Sequence, residues 1–265
     1  MGAAAFRRCY GRPYCIVSAP QEVPWRSGRD RPAPRLPWVI FQRWEDLLFA
    51  HWRVPVAVLR PRVPAPFALD LHEGEAWVGV TPFRLCRMRL RGLPPIPGAS
   101  EFPELNVRTY VSLDERPGVY FFSLDAGNPL AALVARQFYR LPYFFSKMSC
   151  VSDGERVEFR CRRGDGDPAP AFAADYGPRG DVFETRAGSL EHFLTARYRL
   201  YAVQGARIYR TEVDHEPWPL HPGEAEISVN SIASAAGFDL NAGDAMLHFS
   251  RGVNVRVWPP ERVDV

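Results

Sequence analysis

Polar and apolar residues alternate between Glu104 and Val111. Glu104, Asn106, Arg108 and Tyr110 fall on one parity, and Leu105, Val107, Thr109 and Val111 on the other. A period of two puts each set on one face of a β-strand. One face suits a core; the other carries a carboxylate, an amide, a guanidinium and a phenol in a row. Solvent exposure of that polar face is one reading. The following segment, Val119 to Leu124, is almost wholly apolar. A polar face beside a fully buried strand suggests a closed sheet with a lined interior.

The same patterning divides the rest of the chain. Residues 1–36 are rich in Pro, Arg and Gly without a period, and are expected to form a disordered tail or loosely docked arm. The domain is expected over 37–265. Trp38–Trp44 reads as a strand, followed by a short helix or strand end carrying His51 and Trp52. Ala76–Phe83 and residues 85–91 read as separate strands. Asp114–Gly118 is a turn that makes 105–113 and 118–124 a hairpin. Asn128 and Pro129 open a helix to about Tyr139 as N-cap and first residue. Strands follow at 147–152 and 155–162, and a polar Gly/Pro-rich loop at 163–180. Ser189 caps a short helix. Arg197–Ala202 and Ile208–Val213 pair around Gly205. Glu224–Ile232 is expected to begin as helix, and Val253–Trp258 closes as a strand. Many short strands with two or three helices give a mostly β, α+β domain.

Composition narrows the function classes. Aromatic residues make up 13% of the 265 residues, enough for a substantial core. The net charge of +3 is too small to argue for nucleic acid. Nearly all basic residues are arginine; Lys147 is the only lysine. Five cysteines (Cys9, Cys15, Cys86, Cys150, Cys161), odd in number and without C-x-x-C spacing, read as reduced thiols of a cytoplasmic protein. No apolar run reaches the roughly 18 residues that cross a bilayer, so no membrane partner is expected. His-x-x-x-His and His-Glu-x-x-His patterns are absent, as are Gly-x-Ser-x-Gly and a phosphate loop; no metal and no cofactor are expected.

Several segments in order, DLLFAHWRVP, EAWVGVTPF, RLRGLPPIP, ELNVRTYV, PGVYFFSLDA, LPYF, SLEHFLTARYRLY and HEPWPL, together resemble the YqjF-like family of bacterial domains of unknown function over residues 37–258. That family is similar in fold to acetoacetate decarboxylase. The resemblance implies a closed β-barrel or cone around a central pocket, with a few flanking helices, and leaves homo-oligomerisation as an open expectation. Acetoacetate decarboxylase uses a Schiff-base lysine whose pKa is lowered by a neighbouring cation. By resemblance Glu104 stands at its strand glutamate, Arg136 at its helix arginine, and Pro142 before its lysine pair. The next two positions are Tyr143 and Phe144, so the Schiff-base amine is missing there. Lys147, three residues beyond, is the alternative; an odd shift on a strand changes its face.

The candidate site therefore combines Glu104 as a proton-handling carboxylate with Arg108, Arg136, Asn106, Tyr110, Tyr143 and His215 as ligand contacts. A salt bridge of Glu104 to Arg108 or Arg136, and pairing of these arginines with Asp125, is the structural alternative. His51 reads as a satisfied buried histidine. Three functions stay open: a pocket for a small oxo- or carboxylate-bearing metabolite, with proton-transfer chemistry; a non-catalytic binding or sensory module; and a barrel filled by its own side chains.

Overall fold

The computed structural model describes residues 25–29, 32–166, 168–240 and 242–264. Within them are thirteen strands: β1 (Ile40–Val54), β2 (Ala68–Leu69), β3 (Ala76–Leu90), β4 (Phe102–Leu113), β5 (Arg116–Ala126), β6 (Tyr143–Ser152), β7 (Val157–Arg163), β8 (Ala171–Pro178), β9 (Arg199–Gln204), β10 (Arg207–His215), β11 (Leu220–Asn230), β12 (Met246–Val257) and β13 (Glu261–Val263). The four α-helices are α1 (Val56–Leu59), α2 (Pro129–Phe138), α3 (Leu190–Thr195) and α4 (Ser231–Ala235).

Pairing closes the sheet twice. β5, β4, β3, β1, β12, β10 and β9 hydrogen-bond in succession, and β9 returns to β5, giving a ring of seven strands. A second ring leaves β5 through β6, β7, β8 and β11 and rejoins at β12. The five strands from β12 to β5 through β1, β3 and β4 belong to both. Closure removes exposed edges and gives a shared strand two buried faces. Along β4, Leu105, Val107 and Val111 enter one apolar core with Phe159 and Phe172. Phe102 and Tyr110, on the opposite parity, enter a second core with Phe49, Trp77 and Trp218. The polar parity of β4 thus points into the seven-stranded ring.

The seams of that ring are short: β9 meets β5 in parallel at two residue pairs, and β10 meets β12 at three. Residues 25–29 lie across the second seam. Trp25 Nε1 and Ser27 Oγ donate to Asp214, and Arg29 bonds to the Val213 carbonyl and Glu212. Arg256, the register partner of Asp214, stacks over Trp25 at 3.9 Å. Residues 1–24, 30 and 31 of the expected tail lie outside the described residues.

Local chemistry accounts for most elements. Asn128 accepts from the Leu130 and Ala131 amides at the start of α2, and Ser189 from His192 at α3. Of the two readings for the segment after Trp44, the strand holds: residues 40–54 form one strand, with Asp46 at φ 54° where its register slips. Three expectations are corrected. Ala76–Leu90 is likewise continuous, with Arg87 at φ 53°. The expected loop 163–180 contains β8, whose inward Phe172, Ala174 and Tyr176 are spaced by small residues that blur the alternation. The expected helix start at Glu224 is β11: Glu224, Glu226 and Ser228 are exposed and alternate with the half-buried Ala225 and Ile227.

The β4–β5 hairpin turns at Asp114 and Glu115, with φ of 50° and 57°. Two consecutive positive φ values are a type I′ signature, where Asn-Gly is preferred. Replacing Glu115 by Gly is expected to stabilise the fold by about 0.5–1 kcal/mol, raising Tm by roughly 1–4 °C. An unchanged or lower Tm would contradict this turn.

Candidate functional site

The seven-stranded ring encloses a cavity of about 130 Å³. Every strand of the ring lines it, and α2 with its C-cap residue contributes Ala131, Ala135 and Tyr139, spaced by four on one helical face. The walls are mostly aromatic and aliphatic, with Trp44, Phe49, Phe83, Phe121 and Trp218 among them. Among the polar groups, Glu104, Asn106 and Arg108 of β4 line the cavity in sequence. At strand spacing, Glu104 and Arg108 sit about 13 Å apart at their backbones, with Asn106 between them.

Glu104 is 5% exposed. The Tyr143 hydroxyl lies 3.2 Å from each of its carboxylate oxygens. Among the described residues no Lys or Arg reaches it within ion-pair distance, so the expected bridge to Arg108 or Arg136 does not form. Burial pushes its pKa up to about 8; the Tyr143 bond opposes that shift and the neighbouring Asp125 adds to it. Glu104 is mainly protonated at neutral pH. Burial and the Glu104 carboxyl hold the Tyr143 hydroxyl well above the usual phenol range.

Asp125 pairs elsewhere. Arg163 bonds to both its oxygens, at 2.8 and 2.6 Å, and Ser146 donates to it at 2.6 Å. Arg108 has no carboxylate within ion-pair distance among the described residues. One Nη donates at 3.4 Å to the Leu194 carbonyl, and its Nε has no protein partner. Tyr110 follows on the same face of β4 but lies behind the cavity wall. Its hydroxyl donates to the Leu194 carbonyl at 2.8 Å and lies 2.7 Å from His51 Nε2. A phenol has one proton, so Nε2 of His51 must be the donor to it. His215 lines the cavity, stacked on Tyr198 and bonded through Nδ1 to the Glu216 carbonyl. Burial lowers its pKa to about 4 and holds His51 well below its ordinary value, so both are neutral near pH 7.

Glu104, Asn106, Arg108, Tyr143 and His215 therefore meet at one cavity. Arg136 does not join them: it follows Ala135 on α2, about 100° around the helix, and faces solvent. Lys147 does not either: its amine is exposed and pairs with Asp165 at 2.6 Å. This removes the only lysine as a Schiff-base nucleophile in the cavity. Sequence reasoning missed Thr81, Tyr139, Trp44 and Arg197. These come from β3, α2, β1 and the residue pair before β9, and no local spacing links them. Five buried cavity atoms have no protein partner among the described residues: Trp44 Nε1, Thr81 Oγ1, Asn106 Oδ1, Tyr139 Oη and Arg108 Nε. Buried polar groups are rarely left so. The described cysteines Cys86, Cys150 and Cys161 are free thiols; Cys9 and Cys15 lie outside the described residues. No helix among the described residues is long and apolar enough to cross a membrane.

Comparison with known proteins places this geometry. The profile of the DUF2071 family, described as an uncharacterized conserved protein, matches residues 41–254. The uncharacterized protein YqjF of Bacillus subtilis (strain 168) is 45% identical over 222 residues, 84% of this chain and 91% of that protein. Two solved structures are similar in fold. One is the enduracididine biosynthesis enzyme MppR complexed with pyruvate, with a TM-score of 0.59 at 11% identity over 88% of this chain and 93% of that one. The other is acetoacetate decarboxylase from Legionella pneumophila, with a TM-score of 0.58 at 13% identity over 89% and 93%. The fold is acetoacetate decarboxylase-like.

The buried acid imposes a pH dependence. The folded pKa of Glu104 lies above its ordinary value, so its contribution is complete below about pH 4.5 and is lost as pH rises towards 8. The lowered values of His51 and His215 act oppositely, removing stability as pH falls below about 6.5. Stability is expected to peak near pH 6.5. Above it, wild type loses up to about 1.4 kcal/mol per pH unit until pH 8. Denaturant unfolding of Glu104→Gln is expected to lack this alkaline decline; parallel profiles for the two proteins would refute the buried acid.

Proposed function

We infer the function of this chain, which belongs to the DUF2071 family, from its cavity. It takes up a small oxo- or carboxylate-bearing metabolite and moves a proton on it through Glu104, without a lysine imine. The observation that carries this reading is Arg108. A guanidinium lining a largely apolar cavity with no carboxylate partner is a site for an anion. The neutral Glu104 and His215 leave that charge uncancelled.

The remaining groups fit an oxo-acid. With its carboxylate on Arg108, a ligand lies along the β4 face, past Asn106, towards Glu104. Protonated Glu104 donates a hydrogen bond to a carbonyl oxygen there. As a carboxylate it accepts a proton from the carbon beside that carbonyl, and a pKa close to neutrality serves both directions. Tyr143 holds the carboxyl in place, and Asn106 and Thr81 supply hydrogen-bonding oxygens at the cavity wall. A cavity of 130 Å³ is close to the ~150 Å³ engineered void that admits benzene, so the ligand has roughly six or seven non-hydrogen atoms. MppR, of the same fold, is complexed with pyruvate, a molecule of that size and chemistry.

The test is hydrogen–deuterium exchange at the carbon next to the carbonyl of pyruvate and acetoacetate in D2O, followed by NMR. Wild type is expected to accelerate exchange, and Glu104→Gln to slow it 10²-fold or more while still binding. Arg108→Met is expected to weaken binding of both acids roughly 10- to 100-fold. Binding without accelerated exchange would reject proton transfer and leave a non-catalytic binding module. Equal affinity of wild type and Arg108→Met would reject the anion site itself.

A further inference from the structure

A second guanidinium reaches the cavity, and its charge is cancelled from outside. Arg197 lines the central cavity and also an outer cleft of about 300 Å³. Its side chain is 7% exposed. Its Nε donates to the Phe193 carbonyl at 2.6 Å, and its Nη1 pairs with Asp70 Oδ2. Asp70 lines the outer cleft but not the central cavity, and its side chain is 25% exposed. Arg197 and Arg108 both lie near the Tyr110 ring, 4.8 and 6.0 Å from its centroid. Both cations line the cavity close to the Tyr110 ring, while a carboxylate stands behind only one of them.

We propose that Asp70 is a specificity-determining residue that restricts the cavity to monoanions by cancelling Arg197 from the outer cleft. This rests on reading the cavity as an anion site. Arg108 then supplies one net positive charge. A monocarboxylate matches it. A dicarboxylate brings a second charge into an apolar enclosure where the second cation is already paired, and an unpaired buried charge is costly. Removing the Asp70 charge frees Arg197 to serve the second carboxylate. Charge pairs in a partly buried setting are strong enough to move the preference tenfold or more.

Acetoacetate and malonate make a matched pair, since malonate carries a carboxylate oxygen where acetoacetate carries a methyl group. Calorimetric titration of both into the full chain is expected to show wild type favouring acetoacetate at least tenfold. In Asp70→Asn the ratio is expected to move at least tenfold towards malonate, since the second carboxylate gains more from the uncovered Arg197 than the single charge of acetoacetate does. Asp70→Ser removes the same charge and must move it likewise; Asp70→Glu keeps the charge and must retain the wild-type preference. In Asp70→Asn combined with Arg197→Gln the ratio is expected to return. A ratio unmoved in Asp70→Asn and Asp70→Ser, or one that stays shifted in the double variant, overturns the proposal. If wild type binds neither acid, the anion site fails and this inference falls with it; a wild type that binds both equally sinks the inference alone.

Discussion

A strand shared by two closed rings has no face left for water. β4 is such a strand, and the rest of the site follows from that constraint. Its Leu105 and Val107 are fully buried in one core, where each stabilises the fold by about 1.5–3 kcal/mol. The opposite parity is obliged to carry Glu104, Asn106 and Arg108 into the other ring. Buried polar groups without partners cost several kcal/mol, so each must find a partner in the protein or in a ligand. Tyr110 finds two, His51 and the Leu194 carbonyl. Arg108 Nε and Asn106 Oδ1 find none. The unsatisfied atoms lie on the part of the face that lines the cavity.

The same constraint separates two neighbouring carboxyls. Glu104 and Asp125 sit on adjacent strands, with Leu105 opposite Asp125 in register. Asp125 points to the outer side of the ring, where Arg163 grips both oxygens and Ser146 adds a third bond. Glu104 points inward, has only the Tyr143 hydroxyl, and is pushed towards neutrality. An acid–phenol pair therefore occupies the region where acetoacetate decarboxylase, by resemblance, would present a lysine. Lys147, by contrast, holds its amine on Asp165 at the surface.

What could be read from the chain was whatever depended on one segment. The alternation of β4, the 114–115 turn of the hairpin, and the Asn128 and Ser189 caps all rest on neighbours a few residues apart. The polar face of β4 pointed to Glu104, Asn106 and Arg108 together for that reason. β8 was hidden because Ala171, Ala173 and Ala174 dilute its alternation, and β11 because its glutamates also suit a helix. Arg136 was carried over by resemblance, but on α2 the residues facing the cavity are Ala131, Ala135 and Tyr139, and the next position turns outward. Arg197, Thr81 and Tyr139 could not be linked to the site from spacing, since three distant segments bring them there. Their meeting depends on ring closure, which is a long-range property.

The central claim is that the inward face of β4 holds a neutral carboxylic acid beside an unpaired arginine. Carbon-13 NMR of the chain labelled at its glutamate carboxyls tests it directly, with the Glu104 resonance assigned by its loss in Glu104→Gln. The account predicts a titration midpoint near 8 for that resonance. A midpoint at the ordinary glutamate value, near 4.5, would show a solvated or ion-paired carboxylate and contradict it.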